Sequence, residues 1–223
     1  MVYMGGKFRI RKHLLPILQK EADKAEGYLE PFCGGCNVIE KICQKNRVAA
    51  DRNKWLIEFW KGLDRLNDLP QTLSREEYSK ARDRYNKGEV DWYISAVGFL
   101  GSFGGRFYDG GFGNEVWEGR INNVRNQLEG LKGVEFICRD YKDTPDLRNW
   151  VIYCDPPYQG VKGYREGLVY DEFWTWCKEM SKKNTVFISE MNCPIGEVVW
   201  EKEVKRTIGE ERPTAVEKLF RVS

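Results

Sequence analysis

The chain is poor in histidine and has no long apolar run. His13 is its one histidine in 223 residues. Cys33-Gly34-Gly35-Cys36 has CxxC spacing, but no second ligand pair accompanies it, so no metal or redox centre is expected. No stretch is long and apolar enough to cross a bilayer, which argues against a membrane partner. Met1 to Lys7 lacks the apolar core of a secretory leader. The seven cysteines are odd in number and sit mostly in apolar contexts, as in Ile152-Tyr153-Cys154. Reduced, buried thiols and a cytoplasmic location are the expectation. Internal repeats and low-complexity linkers are also missing. No glycine turn has the GxGxxG spacing or a following Walker lysine, which disfavours a phosphate cradle.

What is present is a globular composition, 41% hydrophobic, with 36 basic residues against 34 acidic and a net charge of +2. That balance neither requires nor excludes a polyanionic partner, since local patches matter more than the sum. The length suits one α/β domain carrying an inserted, mainly helical lobe. The lobe is expected over 62–132, with 1–61 and 133–223 forming the main body.

In chain order, Tyr3 to Lys7 is a glycine loop ahead of an amphipathic helix bearing Ile10, Leu14, Leu15, Ile17 and Leu18. Lys7 either reaches an acidic or phosphate group or is simply solvated. Tyr28 to Phe32 reads as a strand, Cys33 to Cys36 as a turn, and Asn37 with Glu40 as the capping box of a helix. Arg47 to Ala50 is a second strand that ends on Asp51. An acid there can bond ribose hydroxyls or cap the helix from Lys54 to Leu66. Strand, glycine turn, strand and acid describe a nucleoside pocket without a phosphate site. S-adenosylmethionine is such a ligand, and Glu30 suits its cationic amino group.

Trp150 to Cys154 is a short β-branched and aromatic run, so it reads as a buried strand. It ends in Asp155-Pro156-Pro157-Tyr158. Proline fixes φ and lacks an N–H, so a carboxylate, a stiff carbonyl and an aromatic ring are presented together at a strand's carboxyl end. Asp140 follows the strand Val134 to Cys138 and either faces a ligand or caps a turn. Gln159 to Tyr170 is a loop with a lid role in prospect. Helix Asp171 to Met180, strand Thr185 to Ser189 and a final strand pair complete an edge of antiparallel type.

The middle region interleaves aromatics, glycines and arginines. Ser74 with Glu77 caps a charged helix through Arg84, and Phe99 to Gly111 contains Arg106 and Tyr108. The helix Val116 to Leu131 carries Arg120 and Arg125. Such residues suit contact with a polynucleotide. They equally suit a glycine-rich connector plugging the core, or a solvated helix face.

The set Asp155-Pro156-Pro157-Tyr158, Glu30 to Gly35 and Tyr3 to Lys7 resembles the Dam-type (D12 class) DNA adenine-N6 methyltransferases, especially small phage members, over nearly the whole chain. The resemblance implies a Rossmann-like, S-adenosylmethionine-dependent methyltransferase sheet with an inserted target-recognition region, acting on double-stranded DNA. It implies that Tyr3, Lys7, Asp51 and Asp155 contact the cofactor, with Phe32 and Gly34 on its methionine side and Asp140 near its adenine. Asp155, Pro156 and Tyr158 would then be catalytic, Tyr158 stacking on a flipped base. Arg84, Arg106, Tyr108, Arg120 and Arg125 are the candidate DNA contacts. The sequence departs from the family pattern where Ser189 precedes Glu190. A methylase of RNA or protein glutamine, or a silent nucleic-acid-binding module, would share many of these features.

Overall fold

A computed structural model describes residues 1–3, 5–113, 116–158, 168–205 and 214–222. The glycine-lysine loop is therefore described except at position 4, and the expected lid lies outside the described residues except at 168–170. Among the described residues, seven strands form one sheet in the order β3-β2-β1-β4-β5-β7-β6. These are β1 (Gly27–Glu30), β2 (Arg47–Asp51), β3 (Val134–Cys138), β4 (Trp150–Cys154), β5 (Thr185–Glu190), β6 (Gly196–Lys205) and β7 (Thr214–Val222). β3 through β5 pair in parallel, while β7 runs antiparallel between β5 and β6. The first five strands have the doubly wound, Rossmann-like order, which reverses direction between β1 and β4. Ligands bind at such a reversal, beyond the carboxyl ends of the strands.

Burial explains why these runs are strands. Tyr28, Tyr153 and Phe187 face one apolar cluster, while Leu29, Ile152, Val186 and Ile188 face the other. Alternate residues thus enter opposite cores, as a sheet covered on both faces requires. On the first face lie α1 (Arg11–Ala22), α2 (Lys54–Lys61) and α4 (Trp92–Gly101). Leu14, Leu18 and Ala22 of α1 repeat every four residues and are fully buried. Each of the two leucines contributes about 1.5–3 kcal/mol through burial. On the second face α7 (Tyr170–Ser181) inserts Phe173 and Cys177.

α2 starts where the Asn53 side chain accepts from the N–H groups of Trp55 and Leu56, at 3.1 and 3.2 Å. It stops at Gly62, where a Cβ would stand 2.1 Å from the Trp92 indole. It is therefore shorter than the expected helix to Leu66, which continues only as 3-10 turns over Leu63–Asp68. The capping box of Ser74 and Glu77 opens α3 (Arg75–Asn86) as expected. Asp91 caps α4, which is apolar nearly all round and buried along its length except at Tyr93. α5 (Trp117–Arg125) and α6 (Leu128–Leu131) are two helices where one was expected. Between them Gln127 turns its amide inward to donate to the Gly35 carbonyl at 3.1 Å.

The region 62–132 supplies helices, as read, but it has no core of its own. Trp92, Phe99, Trp117 and Val124 belong to the same cluster as Leu14 and Phe59. The helix expected at Asn37 does not form. Ile39–Lys41 makes only a 3-10 turn, preceded by Cys36 at φ 52°. Buried Glu40 is ion-paired with Arg11, and Asn37 donates to the Met1 carbonyl at 3.4 Å. These distant partners take the two side chains that a capping box needs.

Candidate active site

The site begins where the turn after β1 is tied down. The Cys33 N–H donates to the Ala50 carbonyl of β2 at 2.9 Å. The Gly34 N–H donates to Asp51 Oδ2 at 3.3 Å, and its carbonyl accepts from Trp60 Nε1 at 2.9 Å. Gly34 is in the left-handed region at φ 44°, and a Cβ there would stand 3.0 Å from the Tyr3 ring. Glycine is needed for both reasons. Asp51 Oδ1 accepts from the Asn53 N–H at 2.9 Å. Burial raises the Asp51 carboxyl to about 6, and these backbone donors oppose that shift.

The second half of the site lies at the end of β4. Lys7, itself buried, places Nζ 2.7 Å from Asp155 Oδ1 and 3.2 Å from the Gly5 carbonyl. The same ammonium sits 4.6 Å from the centre of the Tyr158 ring. Tyr158 donates its hydroxyl to Glu217 Oε2 of β7 at 2.6 Å. Tyr170 Oη lies 2.5 Å from the Pro157 carbonyl and 2.8 Å from Glu190 Oε2. Burial pushes Asp155 up to about 6; Lys7 opposes this, while Glu217 and Glu190 add to it. Burial, with Asp155 and Glu217 close by, pushes the Tyr158 hydroxyl far above its ordinary value.

The strand order brings Gly34, Asp51 and Asp155 to one edge, Asp51 two strands from Asp155 and roughly 10 Å away at ordinary strand spacing. Phe32 lies on the same edge, its ring 5.5 Å from that of Tyr141 and 5.6 Å from that of Phe173. The Tyr141 hydroxyl is buried with no partner among the described residues. Asp140 is one strand further out and caps the turn Tyr141–Asp143 by accepting from the Lys142 N–H at 3.0 Å. Glu30, assigned from the sequence to a cationic ligand, is instead buried and accepts from the Tyr28 hydroxyl at 3.1 Å. Burial raises its carboxyl well above the usual range.

The expected DNA contacts divide. Arg106 and Arg125 are exposed, the latter bonded to Asn122 Oδ1 at 3.1 Å. Arg84 is exposed but paired with Glu89 and Asp91, where it holds the α3–α4 corner. Tyr108 and Arg120 are corrections: both are buried. The Tyr108 hydroxyl donates to the Ile94 carbonyl at 2.7 Å, and its N–H donates to Ser102 Oγ at 3.0 Å. Arg120 donates to the carbonyls of Phe99, Leu100 and Ser102 at the carboxyl end of α4. Helix ends leave such carbonyls without partners, and a buried end needs an internal donor.

Sequence reasoning gave no site role to Glu217 or Trp60, which lie in no motif, named Tyr170 only as the end of the expected lid, and noted Glu190 only as a departure from the family pattern; all four touch the site from other elements. A shallow groove lined by Ser181, Asn184, Thr185, Glu197, Arg221 and Val222 lies at the amino end of β5, away from these strand ends.

Residues 3–101, which include Tyr3, Lys7, Phe32, Gly34 and Asp51, match the family model of D12 class N6 adenine-specific DNA methyltransferases. Among curated proteins, the chain is 26% identical to the type II methyltransferase M.FokI of Planomicrobium okeanokoites, over 80% of this chain and 32% of that one. It is 27% identical to the retron Ec67 DNA adenine methylase of Escherichia coli, over 70% of this chain and 64% of that one. The chain thus spans less than two thirds of either relative. Among solved structures, the rRNA methyltransferase aviRa from Streptomyces viridochromogenes aligns over 96% of this chain and 84% of its own, at 12% identity and a TM-score of 0.44. The D12 match ends before β4, so Asp155 and Tyr158 join the site through the geometry described above.

Proposed function

We propose that this chain is a D12-class enzyme that transfers a methyl group from S-adenosylmethionine to N6 of an adenine in double-stranded DNA, with the base flipped out of the duplex. The observation that carries this reading is the group at the end of β4. There the Asp155 carboxylate is held by Lys7, beside the stiff Pro156 backbone and the Tyr158 ring.

The chain's own residues fit such a cofactor. The turn after β1 opens no α-helix, so no helix N-terminus is aimed at a phosphate. The Asp51 carboxylate accepts from backbone N–H groups, among them those of Gly34 and Asn53, and with about four lone-pair sites it can still accept from a ribose hydroxyl. Phe32 and the Tyr141 hydroxyl, which has no partner among the described residues, offer an apolar wall with a polar end. When bound, the cofactor supplies an electrophilic methyl on its sulfonium.

The exocyclic amine of adenine is a weak nucleophile because its lone pair is delocalised into the ring. The Asp155 carboxylate and the Pro156 carbonyl accept its two N–H groups, drawing the nitrogen toward tetrahedral geometry and localising the pair. Lys7 holds Asp155 Oδ1, which leaves Oδ2 toward the base. Asp155 takes the proton that N6 sheds as the new N–C bond forms. Tyr158 supplies a stacking face for the extrahelical base. Catalysis here is mostly positioning and electrostatics. The helices of 62–132 form the DNA-facing region, with Arg106 and Arg125 on phosphates.

The test is to express the chain in methylation-free cells and map N6-methyladenine in their DNA. Purified protein is then assayed for labelled-methyl transfer to duplex DNA, RNA and protein. Methylated adenine in a fixed sequence context is expected; label reaching only RNA or protein overturns the DNA reading.

A further inference from the structure

Tyr158 is held from two sides by residues far away in the chain. The Lys7 ammonium lies 4.6 Å from the centre of the ring, and the ring's hydroxyl donates to Glu217 Oε2 at 2.6 Å. Lys7 in turn is anchored 2.7 Å from Asp155 Oδ1. One ring face is therefore occupied by a cation, which leaves the opposite face as the one a planar guest would use. A tyrosine is free to swing about χ1 and χ2 unless its far end is bound, and an off-position ring stacks poorly.

Glu217 is half-buried on β7, in register with Lys202 of β6. β7 is fixed to β5 by the pairs Ser189↔Leu219 and Glu190↔Lys218. The carboxylate is thus mounted on the sheet and not on a loop. β5 and β7 also bring Glu190 to the Tyr170 hydroxyl that meets the Pro157 carbonyl. The segment after β4 is gripped at its backbone and at its ring.

We propose that Glu217 is a positioning residue for the methyl transfer, fixing the Tyr158 ring through its hydroxyl so that the free face receives the target adenine. This rests on the adenine methyltransferase reading above. Neither Glu217 nor β7 falls within the residues matched by the family model. A hydroxyl-to-carboxylate bond is charge-assisted and short, so it holds the ring more firmly than a contact between neutral groups.

The test compares wild type, Glu217→Ala, Glu217→Gln, Tyr158→Phe and Glu217→Ala/Tyr158→Phe in labelled-methyl transfer to unmethylated genomic DNA. Calorimetric affinity for S-adenosylmethionine and a thermal melt are measured on each. Glu217→Ala is expected to lower kcat about tenfold, with cofactor affinity within about twofold of wild type. Tyr158→Phe, which keeps the ring and loses the hydroxyl, is expected to match it. The double variant should be no slower than either single one, because one interaction is removed once. Glu217→Gln, which keeps an acceptor oxygen but loses the charge, should recover part of the loss.

Losses that multiply in the double variant overturn the inference, as does wild-type or faster turnover in Glu217→Ala. Loss of cofactor binding or of folding in Glu217→Gln would assign Glu217 a structural role and also overturn it. An inactive wild type would instead reject the underlying methyltransferase reading.

Discussion

Asp155 is a carboxylate in a place that disfavours charge. Its ordinary value of 3.8 is raised to about 6, mainly by burial, although Lys7 stands against it. Asp51 is raised to about 6 in the same way. For both groups the native value exceeds the unfolded one. Their contribution to stability is therefore present below pH ~4 and lost as pH rises through about 6. At neutral pH both carboxylates are ionised at a cost, and ligand donors reaching Asp51 or Asp155 relieve it. In the proposed reaction the amine needs Asp155 as an acceptor, so kcat/KM is expected to fall about tenfold per pH unit below pH ~6 and to level off above it. A pH profile with its acid limb near 4 would contradict this assignment. Asp155, Lys7 and Asp51 could be picked out as candidates because each sits in a short local pattern beside a strand end or a glycine loop, and the structure brings Lys7 to Asp155. Glu217 and Tyr170 were not, because strand residue and helix start carry no mark of what lies opposite. Tyr108 and Arg120 were read outward because composition gives a residue's type and not its direction.

α4 shows what decides direction at the level of elements. A helix that is apolar nearly all round must be covered, and its last carbonyls then need a donor from the protein itself. Arg120 of α5 is that donor. Replacing Arg120 by Met should cost about 1–3 kcal/mol, because buried acceptors lose their partner. For a chain of this size that is a fall of about 2–12 °C in Tm. Arg125→Met, at an exposed position, should stay near wild type in a calorimetric melt and weaken DNA binding instead. Equal melting temperatures for the two variants would refute the division drawn here. Strand positions were read closely, since periodicity and β-branched content are local; Val134–Cys138 and Trp150–Cys154 match residue for residue. The helix at Asn37 failed because Arg11, 29 residues before Glu40, claims the carboxylate a cap required.

Across the molecule, an α/β sheet was readable from the mixture of strand and helix patterns, although only 3-10 turns lie between β1 and β2 and between β3 and β4, and an antiparallel edge was readable from the strand-rich carboxyl region. That β7 enters between β5 and β6 was not readable, since a hairpin can join a sheet by either strand. The placement makes β7 the partner of two strands at once. A chain stopped at residue 205 would leave the edge of β5 unpaired, with buried Phe187 and Ile188 beside it. Open edges of this kind template association. Such a truncation is expected to elute as aggregate in size-exclusion chromatography with light scattering. A monodisperse, folded species would show that β7 is dispensable to the sheet.

The place of β7 also sets a clock. During synthesis, Tyr158 is made roughly sixty residues before Glu217, an interval of about 3–12 s at 5–20 residues per second. Until then the ring lacks its tether and the sheet lacks an inner strand. A nascent chain still attached to the ribosome therefore carries the acid and aromatic groups without their final arrangement. The arrangement around Tyr158 is therefore completed late in translation, when β7 joins the sheet.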